Sequence, residues 1–250
     1  MTKSLNKQPE MPDAFASPAA GLLPPMQGLY IGKVTKIDED PDGEYKIQVK
    51  IPFLDPACDM VWARLNSVRA SNGYGSFFIP DIDDEVILGY FNNDPRFPVI
   101  LGSLYSSKQK PPYEIEATNK ISAFVSKEKM KIEFEEEKKI ITISTPGNNK
   151  IVLSDDTKGI FLEDQNGNKI TMDDKGISIE STKDITIKAK AKVLTDAGAD
   201  VGITAKSNVK AEGINVELQA KASLKAKGNA SAELSASGPT VVKGAMVMIN

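Results

Sequence analysis

The residues with the means to do chemistry are few, and their types decide much. Glu135-Glu136-Glu137 brings three carboxylates together, as an acid–base pair would require, but Lys131 and Lys138-Lys139 flank the run. That pattern describes a solvated strand end. Asp155-Asp156 and Asp173-Asp174 have the hard oxygen donors a cation needs, yet both sit in turn-rich stretches ahead of Gly159 and Gly176, where Asp is favoured for turn geometry alone. Cys58 is the single cysteine, so no intrachain disulfide exists, and we read it as a small buried apolar side chain rather than a nucleophile. Histidine is absent, which removes Ser-His and Cys-His catalysis and every histidine metal site. No Gly-rich phosphate loop occurs. The expectation is a protein without catalytic, metal or cofactor-binding residues, one that is not an enzyme.

What, then, would such a chain be built to do? The clearest pattern lies in residues 177–250. From Ile177 to Ala211 the apolar and small residues fall on odd numbers, and from Ile214 to Ala236 they fall on even ones. Period two is the strand signature. A second period is laid over it: Ile177, Ile185, Val193, Val201 and Val209 recur every eight residues, as do Leu218, Ala226, Leu234 and Val242 after the change of parity. Helical and heptad periods both fail here. No aromatic residue follows Phe161, so the interior that these Val, Ile, Leu and Ala side chains fill must be narrow. One chain with eight-residue sides has little to bury at its centre, whereas three chains about one axis bring three inward faces together. The pattern predicts an intertwined homotrimeric β-helix, a triangular prism of about nine layers and so roughly 45 Å long. Between Val209 and Val216 the step is seven rather than eight, which predicts a one-residue irregularity at Gly213-Ile214.

The remainder of the chain differs in kind. Residues 1–27 hold five prolines and few large apolar groups, and read as a Pro-rich arm or linker. Residues 1–10 lack the apolar core of a signal peptide, so export would follow another route. Residues 28–105 carry 11 of the 16 aromatics. Alternating runs at 29–37, 45–51, 61–66, 75–79, 85–91 and 99–105 are separated by turn signals such as Asp40-Pro41-Asp42-Gly43, Asp55-Pro56 and Asn92-Asn93-Asp94-Pro95. Short strands at this density predict a small closed barrel of the OB type. Many such barrels bind nucleic acid, but this one has 12 acidic residues against seven basic ones, a balance that repels phosphate. A connector at 106–120 leads to 121–176, where strand-like runs alternate with turns such as Asp164 to Asn168 and Asn-Lys-Ile recurs at Ile121, Ile151 and Ile170; this is read as a looser, loop-bearing neck of the shaft. At the far end alternation is lost: Ala245, Met246, Val247, Met248 and Ile249, closed by Asn250, are apolar on both parities. Such a patch marks an interface, and we read it as the docking surface for a separate capping protein. A tip built on a histidine-ligated metal is excluded by composition.

Several runs together resemble one family. Tyr30-Ile31-Gly32-Lys33-Val34, Asp42-Gly43-Glu44-Tyr45-Lys46-Ile47-Gln48-Val49, Val61-Trp62-Ala63-Arg64 and Gly75-Ser76-Phe77-Phe78-Ile79-Pro80 are similar to the OB domain of VgrG-type and phage baseplate spike proteins. The most specific run is Asp94-Pro95-Arg96-Phe97-Pro98-Val99-Ile100-Leu101-Gly102-Ser103-Leu104-Tyr105, and Asn149-Lys150-Ile151 with Asp155-Asp156 resembles the family's neck. The resemblance implies a membrane-puncturing central spike of a contractile injection machine, whether type VI secretion system, extracellular injection particle or phage tail. It further implies assembly in the bacterial cytoplasm with delivery outward, a hub or baseplate protein and inner tube at the OB end, transient contact with a target membrane, and a PAAR-type protein docked on residues 245–250. The expected organisation is an arm at 1–27, OB domain at 28–105, connector at 106–120, neck at 121–176, and shaft with tip at 177–250. Two departures stand out. The Pro-rich arm occupies the place of the family's usual hub domain, and Asp83 stands where Gly is common before Asp84-Glu85-Val86. No domain is expected beyond the shaft, hence no fused toxin. The alternative class is a receptor-binding fibre or adhesin shaft; glycan cleavage by the acidic loops of 121–176 is a third.

Overall fold

The computed structural model describes residues 26–54 and 59–249. The expectations for the Pro-rich arm up to residue 25, for the Asp55-Pro56 break, for Cys58 and for Asn250 lie outside those residues. Every regular element among them is a strand, apart from a single 3-10 turn at Phe91–Asn93. The chain divides into two units between Ile185 and Thr186.

The first unit opens with five strands closed into a barrel: β1 (Tyr30–Lys36), β2 (Ile47–Lys50), β3 (Met60–Leu65), β6 (Glu85–Tyr90) and β7 (Pro98–Leu104), in the order β1-β2-β3-β7-β6. The pairings are antiparallel except β3 with β7, where Arg64 and Leu65 lie parallel to Val99 and Ile100. A three-strand meander closed by one parallel contact is the OB topology. Alternation places Val34, Ile47, Val49, Ile51, Ala63, Val86, Leu88 and Ile100 inside, each no more than 2% exposed. Each large side chain so buried is worth roughly 1.5–3 kcal/mol. The barrel therefore has its own core. Gly32 permits the β1–β2 approach, since a Cβ there would lie 2.3 Å from Val49 Cγ1.

The strand expected at 75–79 is not formed. Only a two-residue hairpin, β4 (Ala70–Ser71) with β5 (Tyr74–Gly75), occupies this stretch. Ser76 N–H instead donates to Arg69 O at 2.9 Å, and Ser67 Oγ donates to Ser76 O at 2.9 Å, so the following backbone is held as a loop. Gly75 is obligatory there: its φ is +153° and a Cβ would meet Arg69 O at 2.4 Å. Phe77 and Phe78 stay exposed, with Phe78 stacked on Phe124 at 6.4 Å. Asp83 has φ +77°, a left-handed conformation that explains why glycine suits this position; aspartate tolerates it and its carboxylate pairs with Lys33 at 2.7 Å.

Seven further strands form one antiparallel meander in sequence order: β8 (Ile121–Val125), β9 (Lys131–Glu135), β10 (Ile140–Ser144), β11 (Lys150–Ser154), β12 (Gly159–Glu163), β13 (Lys169–Asp173) and β14 (Gly176–Glu180). The looseness seen in the sequence resolves into a hairpin repeat of 19 residues. Lys131, Lys150 and Lys169 open alternate strands, and five-residue loops beginning at Ser126, Thr145 and Asp164 close in the same way. In each loop the fourth N–H bonds back to the first carbonyl, from Lys129, Asn148 and Gly167, all at positive φ. Asn149-Lys150-Ile151 and Asn168-Lys169-Ile170 are equivalent in this repeat; Asn119-Lys120-Ile121 enters β8 in another phase. Ile177 and Ile179, the first residues of the octad pattern, belong to β14.

Among the described residues of the second unit no strand pairs within the chain. Backbone bends recur instead at 190–191, 198–199, 206–207, 214, 221–222, 229–230, 237–238 and 245–246. Corners every eight residues, with one seven-residue step after 214, are what a prism with one octad per side requires. The step falls where the sequence predicted its irregularity, and it shortens the octad 209–215. The residue just before each corner is never larger than alanine: Ala189, Ala197, Ala205, Gly213, Ala220, Gly228, Ala236 and Gly244. Small side chains let the backbone turn closely round a narrow centre.

Candidate interaction surfaces

The carboxylate clusters lie at strand ends and in turns. Glu135 lies at the end of β9 with Lys138 Nζ 3.8 Å away, Glu136 N–H donates to Lys120 O at 2.9 Å, and Glu137 pairs with Lys120. The hydrogen bond from Lys120 draws the Glu137 carboxyl below its ordinary value. Asp155 N–H donates to Lys139 O at 3.2 Å across the open end of the β10–β11 hairpin, and Asp173 Oδ1 accepts from Lys175 N–H at 2.9 Å. No group of three potential ligands able to hold a metal ion occurs among the described residues. Asp164, expected only as part of a turn, accepts from more donors than any other carboxylate among the described residues. It accepts from Asn168 N–H at 2.9 Å, Asn168 Nδ2 at 2.8 Å and Asn166 N–H at 2.8 Å, and these bonds pull it down to about 2. Asp94 is brought to about 2 as well, chiefly by the Arg96 guanidinium, whose Nη2 approaches to 2.6 Å.

The surface that carries the argument is one face of the seven-stranded sheet. Register puts Phe124 opposite Ile132, Phe134 opposite Ile141, Ile143 opposite Ile151, Leu153 opposite Ile160, Leu162 opposite Ile170, and Met172 opposite Ile177. Every position on this face is apolar except Ser122. In an antiparallel sheet such a face normally packs on a core. Here Ile132, Ile141, Ile143, Ile151, Leu153, Ile160 and Met172 are 36–42% exposed, rising to 72% at Ile177. That exposed area far exceeds the scattered apolar residues of an ordinary surface.

The opposite face is mixed and already satisfied. Lys150, Glu163, Lys169 and Glu180 lie opposite one another on consecutive strands, with Lys169 Nζ 3.1 Å from Glu163. Tyr113, from the connector, donates its hydroxyl to Glu133, while Lys131 Nζ reaches Glu133 at 2.9 Å and lies over the Tyr113 ring at 5.9 Å. The tyrosine bond holds Glu133 below its usual range, and desolvation, aided by that carboxylate, raises Tyr113. Gln109 fixes the same connector to the barrel, donating to Asp83 O at 2.9 Å and Asp84 Oδ1 at 3.1 Å.

The second unit repeats the contrast without hydrogen-bonded strands. All of its described residues are exposed. Val193, Val201, Val209 and Val216, the bulky residue of successive octads, are 58–64% exposed, whereas Ile214, at the short step, is fully so. At the expected docking end, Ala245 is exposed, as are Met246 (80%), Val247 (51%), Met248 (82%) and Ile249 (91%). No helix of the described residues is long and apolar enough to cross a membrane.

Comparison with known proteins gives these surfaces a context. Residues 30–105 match the model of the type VI secretion system/phage-baseplate injector OB domain, and residues 140–250 match that of the phage baseplate V C-terminal trimerisation domain. Among curated relatives, the type VI secretion system spike protein VgrG1a of Pseudomonas aeruginosa is 39% identical over 56 residues, which is 22% of this chain and 9% of the relative. VgrG5 of the same organism is 33% identical over 87 residues, 34% of this chain and 11% of the relative. The actin cross-linking toxin VgrG1 of Vibrio cholerae is 39% identical over 54 residues, 22% of this chain and 5% of the relative. The aligned stretches thus span about a tenth or less of the length of these relatives.

Proposed function

Since the chain belongs to the family of VgrG-type and phage baseplate spike proteins, we propose that three copies wind together into the central spike of a contractile injection machine. The observation that carries this reading is the apolar sheet face: 13 of its 14 positions are apolar, and ten of those side chains are exposed. Three such faces turned inward bury one another, and three sets of octads do the same among themselves. The role is mechanical rather than enzymatic. Strands paired between chains leave few free edges along the shaft, so an axial push is carried by a continuous hydrogen-bonded lattice. The barrel, joined to the sheet through Gln109 and Tyr113, faces the hub or baseplate protein and the inner tube. The exposed end at Ala245, Met246, Val247, Met248, Ile249 and Asn250 receives a PAAR-type tip protein. The machine is assembled in the bacterial cytoplasm and fires the spike outward, where it meets the target membrane briefly.

Light scattering on the purified protein tests the core of this reading. Three chains of 27.0 kDa give about 81 kDa; a mass of one chain would overturn it. The tip is tested separately, by binding of a PAAR-type protein to the intact chain and to a Met246→Asp, Met248→Asp variant. Loss of binding with the trimer intact is expected, and equal binding would remove the tip assignment.

A further inference from the structure

The trimer leaves one question open, which rests on the three-chain reading above: what keeps three nearly periodic chains in step? The inward residues Val193, Val201, Val209 and Val216 are almost interchangeable from octad to octad. An apolar interior made of them would accept a chain displaced by one whole octad at little cost.

Two features of the second unit are not uniform. The octad 209–215 is one residue short. In addition, the outward residue that follows one inward column (Val209, Val216, Leu224, Ala232) alternates in sign over four successive octads: Lys210, Glu217, Lys225, Glu233. All four are exposed, and Lys210 pairs with its near neighbour Glu212, both side chains remaining at least 74% accessible.

Threefold symmetry gives this alternation a consequence. Equivalent octads of the three chains share one layer but occupy three different faces. The strand below any octad on the same face is therefore the next octad of another copy, about 4.8 Å away. Glu217 then stands between Lys210 of one neighbouring copy and Lys225 of the other, and Lys225 between two glutamates. Displacing a chain by one octad sets like charges against each other in this column and puts a seven-residue octad in the same layer as two full ones. Like charges directly opposed across strands are destabilising, and opposite ones favourable.

We propose that the column Lys210, Glu217, Lys225, Glu233, together with the short octad 209–215, is the register key of the trimer. It forms an interchain charge ladder that admits only the in-step alignment.

Full-length variants test it. Glu217→Lys with Glu233→Lys makes the column uniformly basic. The expected result is a trimer whose melting temperature falls by roughly 5–10 °C at low salt, with most of the loss recovered at high salt. Exchanging all four signs (Lys210→Glu, Glu217→Lys, Lys225→Glu, Glu233→Lys) restores alternation and should restore the melting temperature. Cysteine pairing reads the register directly: a Glu217→Cys, Lys225→Cys chain oxidises to covalent trimers, whereas Glu217→Cys alone does not link to itself. A uniformly basic variant as stable as the original, a four-sign exchange no more stable than the uniform one, or self-linkage at position 217 would each overturn the proposal. These outcomes are distinct from failure of the trimer itself, which the mass of the unaltered protein reports.

Discussion

The barrel and the octad region use the same strand alternation to opposite ends. In the barrel, alternate residues of β1, β2, β3, β6 and β7 close on one another within a single chain, and Val34, Val49, Val86, Leu88 and Ile100 are wholly removed from water. In the octads the alternate residues are just as regular, yet Val193 and Val201 remain more than half exposed. What separates the two is curvature and side-chain size. Five short strands with aromatic companions such as Tyr30 and Tyr90 curl into a closed wall around large side chains. Eight-residue straight sides with valine and alanine enclose a space too narrow for one chain to fill. Hydrophobic patterning, then, specifies which face is buried but not how many chains bury it. The seven-stranded sheet lies between these extremes, with its hydrogen bonds made within the chain and its apolar face left open.

The comparison can be broken most decisively in the octads. Val201→Asp places three carboxylates in one narrow layer, each costing several kcal/mol to desolvate. The trimer should vanish at micromolar concentration, with the mass falling to one chain, while fluorescence of the sole tryptophan, Trp62 in β3, reports an intact barrel. A surviving trimer would mean that the octads do not face one another.

Next in size is Leu88→Ala in the barrel, which should cost about 2–5 kcal/mol by leaving a cavity. Its effect on the Trp62 transition is expected to be independent of protein concentration, and a concentration-dependent shift would show that the barrel does not hold its core alone.

Acid sharpens the contrast further. Asp94 and Asp164 are drawn down to about 2 in the folded chain, against roughly 3.9 when unfolded. A depressed carboxyl contributes stability above the unfolded value and loses it as pH falls towards the folded one. Thermal midpoints of Asp164→Asn should therefore lie below those of the original protein at pH 5 and converge with them near pH 2; parallel curves would contradict the assignment.

The smallest effect belongs to Asp83→Gly. Relief of the left-handed backbone is offset by the lost Lys33 pair and the freer unfolded chain, so the change should stay within about 1 kcal/mol.

These residues also show what the sequence discloses and what it conceals. Alternation at Ile47, Val49 and Ile51, the octads, their seven-residue step and the loss of alternation after Ala245 are local signals, readable without knowing what touches what. The 19-residue hairpin repeat was hidden because 19 is odd: the apolar face falls on even numbers at Ile132 and Phe134, on odd ones at Ile141, Ile143, Ile151 and Leu153, and on even ones again at Ile160 and Leu162. Phe77-Phe78-Ile79 misled for a related reason, since an apolar run resembles a strand even where Ser67 and Arg69 have already claimed the backbone of Ser76. Asp164 was legible only as a turn; that four donors converge on it depends on loop geometry.

The open octads have a bearing on the order of events at birth. Ribosomes release the barrel first, and its core can close while the later residues are still being made. The octads cannot follow until two other chains arrive, so their rate of folding rises with the number of nascent copies nearby. Translation from clustered ribosomes on one message would then shorten the interval in which isoleucine, valine and leucine stand exposed, and dilution of the message would lengthen it.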